Sequence, residues 1–245
     1  MNESVTESES TSVTESESTS CAADERIASI DVGGAYRGVR ERVSALLAPL
    51  DRDGWEQRVP HCPEWTIRET VAHLVGVVDD GVNGNLTGVG TDAWTKVQVE
   101  KRAHISGSQL LDDWNTYGPL MEARLSEVGL ALAQAIFDVA THEHDLRFAI
   151  STPGFRDSDA VWVAIHFVRT RIAASSDLAM TLDGLDVVPS SHSTQLRLTS
   201  SAFDAMRVFA SRRTEPEIRS LDWNGDPSPV LAMLPFALPT VSLGE

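Results

Sequence analysis

Asp138 and His142 lie four residues apart in the run FDVATHEHDLRFAI (137–150). The spacing predicts a helix, and residues four apart share one of its faces. A second helical run, RETVAHLVG (68–76), carries His73. One carboxylate and two imidazoles suit a divalent metal, zinc first, and leave a coordination position for an exogenous ligand.

On the later helix one stripe holds Ala131, Ala135, Asp138, His142, Leu146 and Ala149, while Glu143, His144 and Arg147 are expected to point away. The stripe is otherwise apolar and should face a core. Burying a carboxylate and an imidazole there costs several kcal/mol unless they are paired. A cation would satisfy both, and so would a direct Asp–His hydrogen bond or a wet bundle mouth. His73 sits at the edge of its own apolar stripe, near Thr70 and Val77. Glu69, one turn earlier, either orients the imidazole or closes a capping box with Thr66, and the capping role is favoured.

The remaining candidates are weaker. His61 lies in a loop beside Cys62, His104 and His192 lie in polar stretches, and His166 on an apolar helix reads as core. Cys62 has no partner pattern that marks a nucleophile. No GxSxG, P-loop or dinucleotide fingerprint is present. Arg212 and Arg213 follow an apolar helix, where the helix dipole alone favours cations. The functional reading is a clamp for a substrate carboxylate.

The chain has 245 residues and a net charge of −16. Residues 1–23 hold five glutamates and no Lys or Arg, so the remainder is still acidic. Nucleic-acid and anionic-membrane binding need basic surface and are disfavoured. No apolar run reaches the roughly 18 residues of a membrane span, and the polar start does not resemble a secretory signal. The expectation is a soluble cytoplasmic protein. Two cysteines, Cys21 and Cys62, and no CxxC argue against a thiolate zinc framework.

Residues 4–11 read SVTESEST, and residues 12–19 repeat it. A segment without apolar periodicity cannot offset its chain entropy, so residues 1–31 are expected to be a disordered acidic tail. Helices are then predicted over about 36–50, from Thr66 to the glycine-rich 79–90, over 108–128 with a bend or break at Gly118-Pro119, and over 130–150. These four read as a bundle spanning 32–154. From 155 to 245 a helix at 157–174, strand-like LAMTL (178–182) and QLRLT (195–199), a helix at 201–213 and a short terminal helix read as a smaller α+β domain.

Three motifs carry a family resemblance. VPHCPEWTIRETVAHLVG (59–76) resembles the N-terminal signature of the mycothiol-dependent maleylpyruvate isomerase family, relatives of the DinB/YfiT helical bundles. FDVATHEHDLRFAI resembles its second metal motif, and FASRRTEPEIRSLDWNGDP (209–227) is similar to its C-terminal motif. The resemblance implies an α+β chain, with a DinB-like four-helix bundle that binds a divalent metal ahead of a small α+β domain. It places the ligands on His73, Asp138 and His142, where the type enzyme of the family has Glu at the position of Asp138. It implies a functional arginine that maps onto Arg212, although Ser211 stands where a glycine is usual. The implied chemistry uses mycothiol, whose sulfur a metal such as zinc would hold as thiolate for attack on a small electrophile.

The leading expectation is therefore a metal-dependent, mycothiol-using transferase or isomerase. The alternative is a non-catalytic metal-binding or stress-response module that keeps the bundle. A metal hydrolase is a third reading.

Overall fold

In a computed structural model, residues 22–175, 179–182, 185–187 and 195–245 are described. The SVTESEST repeat and His192 lie outside them. The helices in chain order are α1 (22–29), α2 (Val32–Leu47), α3 (Arg52–Trp55), α4 (Ile67–Asn83), α5 (Asp92–Lys101), α6 (Gly107–Val128), α7 (Ala133–Ala149), α8 (Asp159–Ser175), α9 (Ala202–Phe209), α10 (Glu215–Ser220) and α11 (Ser228–Met233). The strands are β1 (Arg58–Val59), β2 (Cys62–Thr66), β3 (Ala179–Leu182), β4 (Leu185–Val187), β5 (Gln195–Thr199) and β6 (Asp222–Trp223). The chain divides into two units, one of residues 31–167 with 241–245 and one of residues 168–240 with the N-terminal segment.

In the first unit α2, α4, α6 and α7 form the bundle, with α5 laid against α4. Helix α4 follows directly from its sequence. Thr66 accepts from Glu69 N–H, the Glu69 carboxylate accepts from Thr66 N–H, and Gly84 ends the helix at φ 75°. Ile67, Val71, Leu74 and Val78 on its inner face are fully buried. Each such side chain stabilises the fold by about 1.5–3 kcal/mol. The bundle centre also holds polar order: Trp114 Nε1–H donates to the Tyr36 hydroxyl at 3.0 Å, and Arg40 donates to Glu122 at 2.7 Å.

Three expectations about this unit change. Helix α6 runs through Gly118-Pro119 without a break. Packing on α2 and α4 holds the turn together although Pro119 supplies no N–H. Gly118 is needed there, because a Cβ would lie 2.6 Å from Arg40 Cδ and block its approach to Glu122. The segment between the first two predicted helices, where His61 is expected in a loop, contains α3 and a two-stranded antiparallel hairpin, β1–β2. Helix α7 has no solvent face over 139–147: Glu143, His144 and Arg147, expected to point away, are 0%, 3% and 4% exposed. The charges of Glu143 and Arg147 are paired within the unit. Glu143 accepts from Arg42 at 2.7 and 2.6 Å and from Arg147 at 3.0 Å, and both guanidinium groups lie over the Phe155 ring.

The other unit carries a four-stranded sheet of order β4-β3-β5-β6, with β3 and β5 parallel and the outer pairs antiparallel. Helix α9 buries Phe203, Met206 and Phe209. Residues 22–29, expected within the tail, are helical and bury Ala23 and Ile27. Among the described residues no helix is long and apolar enough to cross a membrane.

Candidate metal centre

His73 projects from the second turn of α4 and is 3% exposed. Asp138 and His142 project from successive turns of α7, half-buried and 7% exposed respectively. One ligand atom from each of the three lies within 4.8 Å of the others. His73 Nε2 is 3.3 Å from Asp138 Oδ2, and His142 Nε2 is 3.7 Å from Asp138 Oδ1. Two ligands about 2.0 Å from a tetrahedral ion stand about 3.3 Å apart, so the donor set fits a divalent cation such as zinc.

The orientation of His73 is set by residues that the sequence did not single out. Gln98, on α5 and 1% exposed, has its Oε1 2.7 Å from His73 Nδ1. Its amide nitrogen donates to Asp80 Oδ2 at 2.8 Å. A carboxylate can only accept, so Asp80 turns the amide nitrogen of Gln98 toward itself and its oxygen toward His73. That oxygen can only accept, so His73 carries its proton on Nδ1. Nε2 is thereby directed at Asp138. The close approach of α5 depends on Gly76, where a Cβ would lie 2.5 Å from Gln98 Cβ. Glu69 is engaged in the capping box, as favoured from sequence.

Burial pushes the His73 pKa down, but the Asp138 charge and the hydrogen bonds to Asp138 and Gln98 outweigh it and hold the imidazole above its ordinary value. The pocket thus draws positive charge to Nε2, and a proton and a metal ion compete for the same place.

His142 is held differently. Its Nδ1 faces Asp145 Oδ2 at 3.2 Å, and Asp145 is fully buried. Cys62, at the start of β2, donates from Sγ to the same oxygen at 3.5 Å. Trp65, also on β2, lies with its ring 5.2 Å from His73 and 5.7 Å from His142, and roofs both imidazoles. The hairpin therefore supplies an apolar cover that raises the strength of charge interactions beneath it.

The other histidines lie outside the triad's donor group. His61 is buried, edge-on to Phe148 and 3.7 Å from the Glu245 carboxylate. His104 is exposed after α5, and His166 is half-buried rather than core. Arg212 is half-buried in the other unit. It follows Ser211, which takes φ 57° at the end of α9. Ser211 N–H donates to Val208 O and Arg212 N–H to Arg207 O, each at 2.9 Å, which is a Schellman closure. The positive φ explains why glycine suits this position, and here serine adopts it.

A four-helix bundle with two imidazoles and a carboxylate gathered between α4 and α7, followed in the chain by a small α+β unit, is the arrangement of a DinB-like fold. Residues 36–148 match the family model of the mycothiol maleylpyruvate isomerase N-terminal domain. That segment is similar to this domain family, as its motifs implied. The crystal structure of a histidine-to-alanine mutant of the mycothiol-dependent maleylpyruvate isomerase shares the fold, with a TM-score of 0.54 and 10% identity. The likeness covers 82% of this chain and 92% of that one. None of the curated proteins compared matches this chain.

Proposed function

We propose that the protein is a divalent-metal-dependent transferase or isomerase that uses mycothiol against a small electrophile. The reading is carried by the convergence of His73, Asp138 and His142 within 4.8 Å, in the segment that matches the domain family. These three side chains hold the ion, with zinc the best fit to two imidazoles and a carboxylate. When bound, the ion supplies Lewis-acid stabilisation of a thiolate at neutral pH. The protein's own part is positioning and exclusion. Asp80 and Gln98 fix which nitrogen of His73 faces the ion. Trp65 keeps water from one side of the pair of imidazoles. Arg212 binds an anionic group of the electrophile, its backbone fixed by the closure at Ser211. The partners are then a low-molecular-weight thiol and a small molecule. The acidic balance and the lack of a long apolar helix among the described residues agree with a soluble cytoplasmic location, free of nucleic acid and membrane.

The test is zinc-loaded protein assayed against a panel of electrophiles with and without mycothiol, beside metal analysis of untagged wild type and His142→Ala. Turnover that needs both thiol and metal is expected, with metal lost in the variant. Equal, negligible metal in both proteins, or turnover indifferent to thiol, would overturn the reading.

A further inference from the structure

The side of His142 turned away from Asp138 meets a second group of donor atoms. Cys62 Sγ, a nitrogen of His142 and a carboxylate oxygen of Asp145 all lie within 4.8 Å of one another. We propose that Cys62, Asp145 and Nδ1 of His142 form a second cation site, for a thiophilic divalent ion such as zinc or cobalt. This goes beyond the proposed function and does not depend on it.

The spacing is that of ligands around one ion. With sulfur about 2.3 Å and oxygen or nitrogen about 2.0 Å from a tetrahedral metal, a sulfur–oxygen edge is about 3.5 Å and a nitrogen–oxygen edge about 3.3 Å. The corresponding separations here are 3.5 Å, Cys62 Sγ to Asp145 Oδ2, and 3.2 Å, His142 Nδ1 to the same oxygen. The second contact is close without being a hydrogen bond. His142 Nδ1 is buried and has no hydrogen-bond partner, although the carboxylate oxygen is within reach. Closeness without alignment suits two atoms that share a cation better than a donor and its acceptor.

Burial and chemistry agree with the geometry. Asp145 is fully buried and His142 is 7% exposed, so both are fixed in place. Cys62 is half-buried on the hairpin, which leaves a way in. The thiol sets this site apart from the first, which has only nitrogen and oxygen donors, and favours softer ions. On binding, the Cys62 S–H bond breaks, a sulfur–metal bond forms, and the proton passes to solvent. Nδ1 of His142 must give up its proton, which moves to Nε2 when this site alone is filled and passes to solvent when both ring nitrogens hold ions, so the two sites are coupled through a single ring.

Cobalt(II) titration of the full chain tests this, with Cys21→Ser as background so that Cys62 is the sole thiol. The readout is the near-ultraviolet thiolate-to-cobalt charge-transfer band. It should appear in the background protein and persist in Asp138→Ala, whose first site is broken. It should vanish when Cys62→Ser is added to either. Absence of the band from the background protein, or its survival in Cys62→Ser, would overturn the second site. Should Asp138→Ala fail to fold by circular dichroism, the background protein and its Cys62→Ser form still decide the question. Failure here leaves the first site intact. Failure of the first site would instead show as metal binding indifferent to His73→Ala.

Discussion

The two helices that hold the candidate centre, α4 and α7, are built on opposite plans. Helix α4 has a side-chain cap, a capping box, a left-handed glycine stop and one apolar face. Helix α7 has no side-chain cap at its start and is buried on every side from Val139 to Arg147, with six polar or charged residues in that stretch. What secures α4 lies within its own sequence. What secures α7 is distant: Glu143 is held by Arg42, 101 residues away, and Asp145 is met by Cys62, 83 residues away. A helix of the first kind places its histidine by local rules. One of the second kind is fixed only once the rest of the bundle has formed.

The largest effect should come from breaking the distant support of α7. Glu143→Gln leaves two arginines facing a neutral amide, and removal of one partner from a buried ion network costs about 3–5 kcal/mol. Thermal or urea unfolding should show a loss of that order. A loss below about 1 kcal/mol would mean that Arg42 and Arg147 find water instead.

Next comes the relay behind His73. Gln98→Leu removes the acceptor at Nδ1 while it keeps the packing against Gly76. Loss of such an outer partner usually weakens metal binding about 10–100-fold. Zinc competition titration should show this, alongside a stability loss of about 1–3 kcal/mol as buried Asp80 loses its donor. An unchanged affinity would mean that burial alone orients the ring.

The smallest effect belongs to the local plan itself. Thr66→Ala removes a cap worth about 1 kcal/mol and leaves Thr66's distant neighbours unaltered. A loss of stability as large as that of Glu143→Gln would erase the contrast between the helices.

The contrast also explains what could be read in the sequence. The Thr66–Glu69 box, the i, i+4 pair Asp138–His142 and the motif that carries His73 are short-range patterns, and the structure brings His73, Asp138 and His142 together. Gln98 and Asp80 could not be found this way, because a glutamine on α5 and an aspartate among the acidic residues of 79–80 acquire meaning only where α5 crosses Gly76. Trp65 lay within a quoted motif, yet its place over both imidazoles depends on the β1–β2 hairpin, which reads as a loop. Glu143, His144 and Arg147 could be read as lying off the Asp138–His142 stripe, but not that Arg42 and Phe155 would cover Glu143 and Arg147. Pro119 looked like a helix break because local propensity was weighed without α2 and α4 packed around it. Ser211 stands where the resemblance implies glycine, and it takes the left-handed conformation that glycine favours.

The most direct measurement is zinc stoichiometry by mass spectrometry on untagged Cys62→Ser protein, alone and combined with Asp138→Ala. We expect one ion per chain in Cys62→Ser and none in the double variant, with both proteins folded. Equal zinc in the two would contradict a site made by His73, Asp138 and His142.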